Sequence, residues 1–252
     1  MHPRVFAALG ADLITNDIVA IVELVKNSYD AMATRVDVRF HSDGEEELIE
    51  VQDNGEGMSR SIIESVWCVV ATPYRTIEPL RKEGKRKRRV SGEKGLGRLS
   101  TARLGKKLDV LTRPSGEPCW HLEMDWTTIA AATSMNACSV SIRECETDPL
   151  NKETGTLVRV KRLNSEWPPV RIGEVAEQLS RLISPFAAIE DFSIWLTSPA
   201  AESRPIEIEP PDFLSQPPYL LTGTVDAAGN LKSQYSYSTA QPIRLNPLLI
   251  IN

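Results

Sequence analysis

The chain has few of the residues that cross-link small proteins or bind transition metals. It contains four cysteines and three histidines among 252 residues. They are Cys68, Cys119, Cys138, Cys145, His2, His41 and His121. No Cys-x-x-Cys pair occurs, and no histidine stands near a cysteine at the spacing of metal ligands. We therefore expect reduced thiols, a cytoplasmic location and no metal site built from histidine.

Long hydrophobic runs and an excess of positive charge are also absent. No apolar run approaches the roughly 20 residues that cross a membrane. The opening segment, residues 1–12, is too short for a signal peptide, and an acidic residue ends it too early. The net charge of −5 gives no overall attraction to nucleic acid or anionic membranes. Apolar residues make up 41% of the chain, enough for one large core with part of a second domain.

Residues 18–33 carry two stripes at helical spacing. Apolar residues recur every three or four positions and predict a helix with a buried face. They are Ile18, Ile21, Val22, Val25, Tyr29 and Met32. Glu23, Asn27 and Asp30 form a polar stripe roughly opposite. From these residues alone, the stripe is either a solvated face or a functional site.

Two strands with alternating apolar residues follow, at residues 35–41 and 47–53. The second strand places Asp53 on the same face as Ile49 and Val51, so its carboxylate is aimed inward at the strand's end. A buried carboxylate is costly unless it is hydrogen-bonded. Asp53 is therefore a candidate ligand-binding residue.

The segment after Asp53 reads Asn-Gly-Glu-Gly-Met, residues 54–58. Alone it is typical of a hairpin turn. Residues 59–70, however, predict a helix rather than the second strand of a hairpin. Glycines at positions 55 and 57 would let the backbone approach a flat ligand closely.

Residues 72–90 combine two prolines with a run of mostly basic residues at 81–89, and they predict a surface loop. The basic run has three interpretations: a solvated loop, a nucleic-acid patch, or a lid drawn to a polyanionic ligand. Three glycines between residues 92 and 97 then lead into a helix at 96–104, which Gly105 ends. Such a turn suits a phosphate chain, although it matches neither the Walker A nor the Rossmann pattern.

The remaining sequence is rich in strand patterns. Strands are predicted at 108–112, 120–126, 139–145, 156–163 and 192–197, and a helix at 170–183. Antiparallel strands with a few helices indicate an α+β fold. We expect a first domain over 1–200, a linker over 201–218, and the start of a truncated second domain over 219–252, with two strands around a turn.

Taken in order, these motifs resemble the GHKL family of ATPases, which includes gyrase B, Hsp90, MutL, the histidine-kinase catalytic domain and the MORC proteins. The matching segments are ELVKNSYDA (Glu23–Ala31), DNGEGM (Asp53–Met58), GEKGLGRLS (Gly92–Ser100) and TGT (Thr154–Thr156). The resemblance spans about residues 9–200 and is closest to bacterial Hsp90-like or MORC-like proteins. It implies a Bergerat ATP-binding fold, a two-layer sandwich of a mixed, mostly antiparallel sheet with helices on one face.

The resemblance implies a role for each matched residue. Glu23 resembles the general base that activates the attacking water, and Asn27 resembles the protein ligand of Mg²⁺. Asp53 resembles the residue that reads adenine. The other implied ATP contacts are the base-pocket residues Gly55, Gly57, Met58 and Thr156, and the phosphate-binding residues Lys94, Gly95, Leu96, Gly97 and Arg98. Asp30 is expected to be structural.

As a whole, the resemblance implies an Mg²⁺-dependent ATPase that acts as a nucleotide-gated clamp. Residues 71–100 would close over ATP, and residues 1–13 would mediate nucleotide-dependent homodimerisation. DNA or a protein client would bind through a missing C-terminal region. The basic residue that reaches the γ-phosphate from the second domain in gyrase B, MutL and Hsp90 is not recognisable here.

Two alternatives stay open. The first is a histidine-kinase-type catalytic domain. Two observations argue against it: no histidine-bearing dimerisation helix precedes the domain, and Glu23 offers a water-activating base. The second is a weakly catalytic DNA-binding clamp that uses the basic run at 81–89. The acidic net charge weakens this second alternative.

Overall fold

The computed structural model describes residues 16–43, 46–67, 80–83, 86–89, 100–132, 140–184, 191–199, 204–211 and 219–237. The helices in these residues are α1 (Asp17–Asp30), α2 (Arg60–Ile62, continued by a π turn over Ile63–Trp67), α3 (Thr101–Leu104), α4 (Trp126–Ala131) and α5 (Pro169–Ser180). The strands are β1 (Arg35–Asp43), β2 (Glu46–Asp53), β3 (Leu80–Glu83), β4 (Arg86–Arg89), β5 (Gly105–Arg113), β6 (Trp120–Asp125), β7 (Ser141–Glu144), β8 (Gly155–Leu163), β9 (Ser193–Thr197), β10 (Ile206–Glu207), β11 (Tyr219–Val225) and β12 (Leu231–Tyr237).

Eight of these strands form one sheet, in the order β10-β9-β1-β2-β8-β5-β6-β7. Every neighbouring pair is antiparallel except β1 and β9, which run parallel. The predicted α+β class and the mixed, mostly antiparallel sheet are confirmed. Two separate hairpins, β3–β4 and β11–β12, lie outside this sheet.

The main core lies between one face of the sheet and the helices. Ile21 and Val25 of α1 are fully buried, as are Val36 and Val38 of β1. They belong to one apolar cluster that also includes Val175 of α5. The apolar residues that recur every 3.6 positions in the helices therefore pack against those that recur every two positions in the strands.

The other sheet face carries a ladder of charges at the alternate strand positions. Glu50 on β2 pairs with Arg159 on β8 at 2.6 Å. Asp109 on β5 pairs with Lys161 on β8 at 2.8 Å and with His121 on β6 at 3.1 Å. Burial by itself would raise the pKa of Asp109, but the hydrogen bonds from His121 and Lys161 outweigh it and lower the pKa to about 2.

One group on this face has the composition of a metal site. Ligand atoms of Asp109, His121 and Glu123 lie within 4.8 Å of one another. Both carboxylates already face cations, since Asp109 pairs with Lys161 and Glu123 pairs with Arg143 at 3.2 Å. This group contains a histidine beside two paired carboxylates and does not decide whether a metal binds. The expectation that no metal site is built from histidine stays a prediction.

Three local predictions were wrong. The stretch at 72–90 was expected to be a loop, but its described part contains the hairpin β3–β4. Trp126 was expected to close a strand but instead begins α4, because Asp125 caps that helix by accepting from the backbone of Thr127 at 2.9 Å. The first helix ends at Asp30 rather than at residue 33, with Met32 in a left-handed conformation at φ 62°.

The expectation of reduced thiols is wrong for one pair of cysteines. Cys119 and Cys145 form a disulfide across the ends of β6 and β7, with Cα atoms 5.3 Å apart. The backbone N–H of Cys145 also donates to the Cys119 carbonyl at 2.8 Å. Cys68 and Cys138 lie outside the described residues.

The hairpin β11–β12 confirms the two strands predicted for 219–237, and its faces differ in polarity. Cross-strand pairing places six large apolar or aromatic residues on one face. They are Tyr219, Leu221, Val225, Leu231, Tyr235 and Tyr237, which are between 56% and 68% exposed. Within the described residues, no helix is both long and apolar enough to cross a membrane.

Replacement of Ile21 by alanine tests the core packing of α1. Ile21 is fully buried, so removing its outer carbons should leave a cavity and lower the free energy of unfolding by about 2–5 kcal/mol. The control is Val19→Ala on the same helix, because Val19 is 37% exposed. Urea denaturation of both variants measures the difference, and equal losses would contradict the placement of Ile21 in the core.

Candidate functional site

Helix α1 is held at its N-terminal end by buried polar contacts. Asn16 caps the helix, because its side-chain oxygen accepts from the backbone N–H of Ile18 at 2.6 Å. Asp17 is buried and forms an ion pair with Arg103 of α3 at 2.7 Å. Arg171 of α5 also donates to the Asp17 carboxylate. These contacts fix the start of the helix against its two neighbouring helices.

The polar stripe along α1 is graded in exposure. The Glu23 side chain is 30% exposed, and its Oε1 lies 2.8 Å from Lys26 Nζ. Asn27, one turn later, is half-buried, and Asp30 is buried. The stripe therefore runs from the protein surface at Glu23 into the interior at Asp30, and is not a uniformly solvated face.

Asp53 ends β2 on the inner face of the sheet, as the alternation predicted, and it is 9% exposed. Ser28 Oγ of α1 donates to Asp53 Oδ2 at 3.0 Å. The backbone N–H of Gly55 donates to Asp53 Oδ1 at 2.9 Å. Since a carboxylate oxygen has room for a second donor, a ligand N–H group could add to these bonds.

The environment of Asp53 perturbs its ionisation strongly. Burial disfavours the charged form and raises its pKa from 3.8 to about 6. The bonds from Gly55 and Ser28 and the backbone of Thr156 favour the charged form and limit this rise. A buried carboxylate with a perturbed pKa is a candidate for a functional group.

The turn after Asp53 is packed so closely that two positions require glycine. A Cβ on Gly55 would lie 2.5 Å from the Ala31 carbonyl oxygen at the end of α1. Gly57 has a φ of +67°, and a Cβ there would lie 2.1 Å from the Arg113 carbonyl oxygen at the end of β5. The turn is thus inserted between the site helix and the sheet.

Side chains of the neighbouring residues fix the two ends of this turn. Asn54 Oδ1 accepts from the backbone N–H groups of Thr34 and Arg35, both at 2.9 Å. Met58 N–H donates to Thr112 Oγ1 at 2.9 Å. Asn54 therefore ties the turn to the start of β1, and Thr112 ties it to β5.

Two threonine hydroxyls complete the described site. Thr156 of β8 is the direct strand partner of Asp53. Its Oγ1 lies 3.0 Å from Thr112 Oγ1 of β5, which also donates to the Gly155 carbonyl at 3.1 Å. Asp53 and Thr156 thus offer a carboxylate and a hydroxyl at the same end of adjacent strands.

The structure brings together one part of the predicted site. Asp53, Gly55, Gly57, Met58 and Thr156 belong to one set of contacts at the C-terminal end of α1. Glu23 lies five residues before Ser28, about 7.5 Å along the helix axis, with Asn27 between Glu23 and the Asp53 end. The remaining predicted residues, Lys94, Gly95, Leu96, Gly97 and Arg98, lie outside the described residues.

Sequence reasoning missed Ser28 and Thr112, although both left a signal. Ser28 follows Ile21 and Val25 on the apolar face of α1. Thr112 follows Leu108 and Val110 on the inner face of β5. A buried polar residue in an apolar row needs a partner, and each of these two has one in the site.

The sequence matches a known protein family. A family model described as "Histidine kinase-, DNA gyrase B-, and HSP90-like ATPase" matches residues 15–156. The matched span begins just before α1 and ends at Thr156, so it contains every predicted site residue. No curated protein matches the chain.

The raised pKa of Asp53 predicts a specific dependence of stability on pH. The folded state holds this proton more tightly than the unfolded chain, so the stabilisation is complete below pH 4 and is lost as the pH rises through about 6. Between pH 7.5 and pH 5, the free energy of unfolding of the wild type should rise by about 1 kcal/mol relative to Asp53→Asn.

Denaturation of both proteins at the two pH values measures this difference. Asp125→Asn is the control, because the hydrogen bond from the Thr127 side chain lowers the pKa of Asp125 from 3.8, so its stabilising effect is lost only as the pH falls below that value. The comparison of wild type with this control should give no rise over the same interval. A flat difference between wild type and Asp53→Asn would contradict the raised pKa.

Proposed function

The chain belongs to the family of histidine kinase-, DNA gyrase B- and HSP90-like ATPases, and we propose that this GHKL-type ATP-binding domain hydrolyses ATP with Mg²⁺. The observation that carries the proposal is the buried Asp53 carboxylate, which is held by Ser28 and Gly55 with room for another donor. Such a group suits a flat ligand that presents an N–H group, as adenine does.

In this proposal Asp53 selects the base. Its carboxylate accepts a hydrogen bond from the exocyclic amine of adenine. Guanine has a carbonyl oxygen at the corresponding position, so it would place an acceptor against the carboxylate and supply no donor in place of the adenine amine. Polar mismatches of this kind discriminate strongly between ligands.

The turn after Asp53 would form the wall of the base pocket. Gly55 and Gly57 leave no side chain between the backbone and a planar ring, which fits their close packing against Ala31 and Arg113. Met58 would add an apolar contact. Thr156, next to Thr112, would reach the base through a water molecule.

The reacting end of ATP would lie along α1 toward its N-terminus. Asn27 would supply an amide oxygen to Mg²⁺, which binds few protein ligands and shares its shell with phosphates and water. When bound, Mg²⁺ supplies charge neutralisation for the phosphates. In this arrangement adenine would lie near Ser28, the metal at Asn27 and the attacked phosphate near Glu23.

Glu23 would act as the general base, accepting a proton from the attacking water. Its carboxylate lies beside Lys26, and both side chains are about one-third exposed. A partly exposed ion pair of this kind contributes less than about 1 kcal/mol. Rotation of Glu23 from Lys26 toward a water molecule is therefore inexpensive.

The triphosphate would bind the glycine-rich turn. Gly95, Leu96 and Gly97 would donate backbone N–H groups, as such turns do at helix N-termini. Lys94 and Arg98 would neutralise phosphate charge. These roles rest on the resemblance of the segment at 92–100, which lies almost entirely outside the described residues.

At the level of the whole protein, we propose a nucleotide-gated, dimerising clamp of the Hsp90-like or MORC-like type. Residues 1–13 would contribute to dimerisation, and the partner of the clamp would be DNA or a protein client. The segment 219–252 would begin a second domain after a linker at 201–218. The exposed apolar face of β11–β12 supports this division, because a hairpin of this kind needs a covering layer.

Removal of the Glu23 carboxylate tests the proposed chemistry. Glu23→Ala should lower Mg²⁺-dependent ATP hydrolysis by about 100-fold or more, because the water loses its base. ATP affinity should change by less than about threefold, because Glu23 contacts the water and not the nucleotide. Single-turnover assays at high protein concentration measure slow hydrolysis, and calorimetry measures binding.

Glu177→Ala provides the control, because Glu177 is an exposed carboxylate of α5 that pairs with Arg181. It should retain wild-type hydrolysis and binding. Equal hydrolysis rates for wild type and Glu23→Ala would remove Glu23 from its role. Failure of the wild type to bind ATP would refute the proposed site.

A further inference from the structure

Three polar side chains lie in a row across the inner face of the sheet. Asp53 of β2 is the direct strand partner of Thr156 of β8, and Thr156 is the direct partner of Thr112 of β5. Directly paired residues on adjacent strands point to the same face of a sheet. All three residues are buried, and Thr112 is fully buried. Since a buried hydroxyl needs hydrogen-bond partners, the partners of Thr112 bear on how this row meets a ligand.

The Thr112 hydroxyl has one partner that can only donate and one that can only accept. The backbone N–H of Met58 donates to Thr112 Oγ1 at 2.9 Å. Thr112 Oγ1 donates to the Gly155 carbonyl oxygen at 3.1 Å. A threonine hydroxyl has a single proton and two lone pairs. The proton and one lone pair of Thr112 are therefore committed to backbone groups, and one lone pair remains.

This remaining lone pair sets the direction of the hydrogen bond between the two threonines. Thr156 Oγ1 lies 3.0 Å from Thr112 Oγ1, and by distance alone either hydroxyl could be the donor. Because the Thr112 proton is bound to a carbonyl oxygen, Thr156 is the donor. The proton of Thr156 is then bound to Thr112, so Thr156 offers a ligand only the lone pairs of its oxygen.

Asp53, on the neighbouring strand, also offers only acceptors while it is charged. Its two oxygens accept from Ser28 Oγ and from the backbone N–H of Gly55, and a charged carboxylate has no proton to donate. The row therefore presents two acceptor groups side by side. A ligand that brings a carbonyl oxygen to this row finds no donor in either group, and a bridging water molecule would have to donate one of its protons to Thr156.

We propose that Thr112 is a specificity-determining positioning residue, which acts by holding the Thr156 hydroxyl as a hydrogen-bond acceptor. By binding the Thr156 proton, it keeps the row selective for a base that brings N–H groups and against a base that brings a carbonyl oxygen. Thr112 acts through Thr156 and does not itself contact the nucleotide. The inference rests on the proposed function of ATP binding.

Comparison of Mg²⁺–ATP with Mg²⁺–ITP tests this role. The two nucleotides share their ribose and phosphates, and ITP has a carbonyl oxygen in place of the exocyclic amine. Thr112→Val keeps the shape of the side chain and removes the hydroxyl, which frees the Thr156 proton for the ligand. The preference for ATP, measured as the ratio of the two Kd values, should fall by about fivefold or more. Competition calorimetry at pH 7.5 measures it, where Asp53 is charged because its pKa is about 6.

Further variants test how the effect arises. Thr112→Ser restores the hydroxyl and should keep the preference within about twofold of the wild type. In Thr156→Val the hydroxyl on which Thr112 acts is missing, so adding Thr112→Val should change the preference by less than about twofold. Thr112→Ala removes the same hydroxyl and serves if Thr112→Val does not fold. Thr222→Val is the control, since Thr222 is exposed on β11, outside the main sheet, and it should retain both affinities.

The outcomes separate this inference from the proposed function. Equal losses of ATP and ITP affinity in Thr112→Val, with the preference unchanged, would show a general structural role and overturn the inference. A fall in preference that Thr112→Val still causes in the Thr156→Val protein would also overturn it, because Thr112 would then not act through Thr156. A wild-type protein that binds neither nucleotide would overturn the proposed function, and the inference with it.

Discussion

The site depends on keeping one carboxylate, Asp53, buried at the end of a central strand. The charged form is costly there, and the surrounding chain is arranged to hold it. Ser28 and Gly55 each donate to one of its oxygens. The turn that supplies the Gly55 donor leaves no room for a Cβ at that position. A change in any of these groups would alter the part of the described site to which we assign recognition of the base.

The helix that faces Asp53 is fixed at both ends by buried charges. At its start, Asp17 contacts Arg103 of α3 and Arg171 of α5. At its end, Arg88 binds the Tyr29 carbonyl of the last turn and the Ala33 carbonyl just beyond the helix, and it links them to Asp191. Burying a charge is costly unless it is fully paired, so removing one partner leaves the other charge buried without compensation and destabilises the fold. The register of the polar stripe between the two ends is consequently well determined.

Much of the fold could be predicted because its signals are local. The period of α1 and the alternation in β1 and β2 gave correct elements, and the inward position of Asp53 followed from Ile49 and Val51. Arg88 could not be identified in this way, since it lies among other basic residues and its partner Asp191 is 103 positions away. The Cys119–Cys145 disulfide likewise depends on how the ends of β6 and β7 lie together. Ser28 and Thr112 were recognisable as polar residues in apolar rows. Only the contacts in the structure show that Ser28 holds Asp53 and that Thr112 holds the turn after it.

The central claim, that Asp53 reads adenine, is tested most directly by following its ionisation with and without nucleotide. Carbon-13 NMR of the aspartate carboxyl groups, with the Asp53 signal assigned from Asp53→Asn, measures its pKa. Without nucleotide we expect a value near the raised pKa of about 6. Saturating ATP should lower it by about one unit or more, because the exocyclic amine donates to the charged carboxylate. A pKa that saturating ATP leaves unchanged would contradict the account.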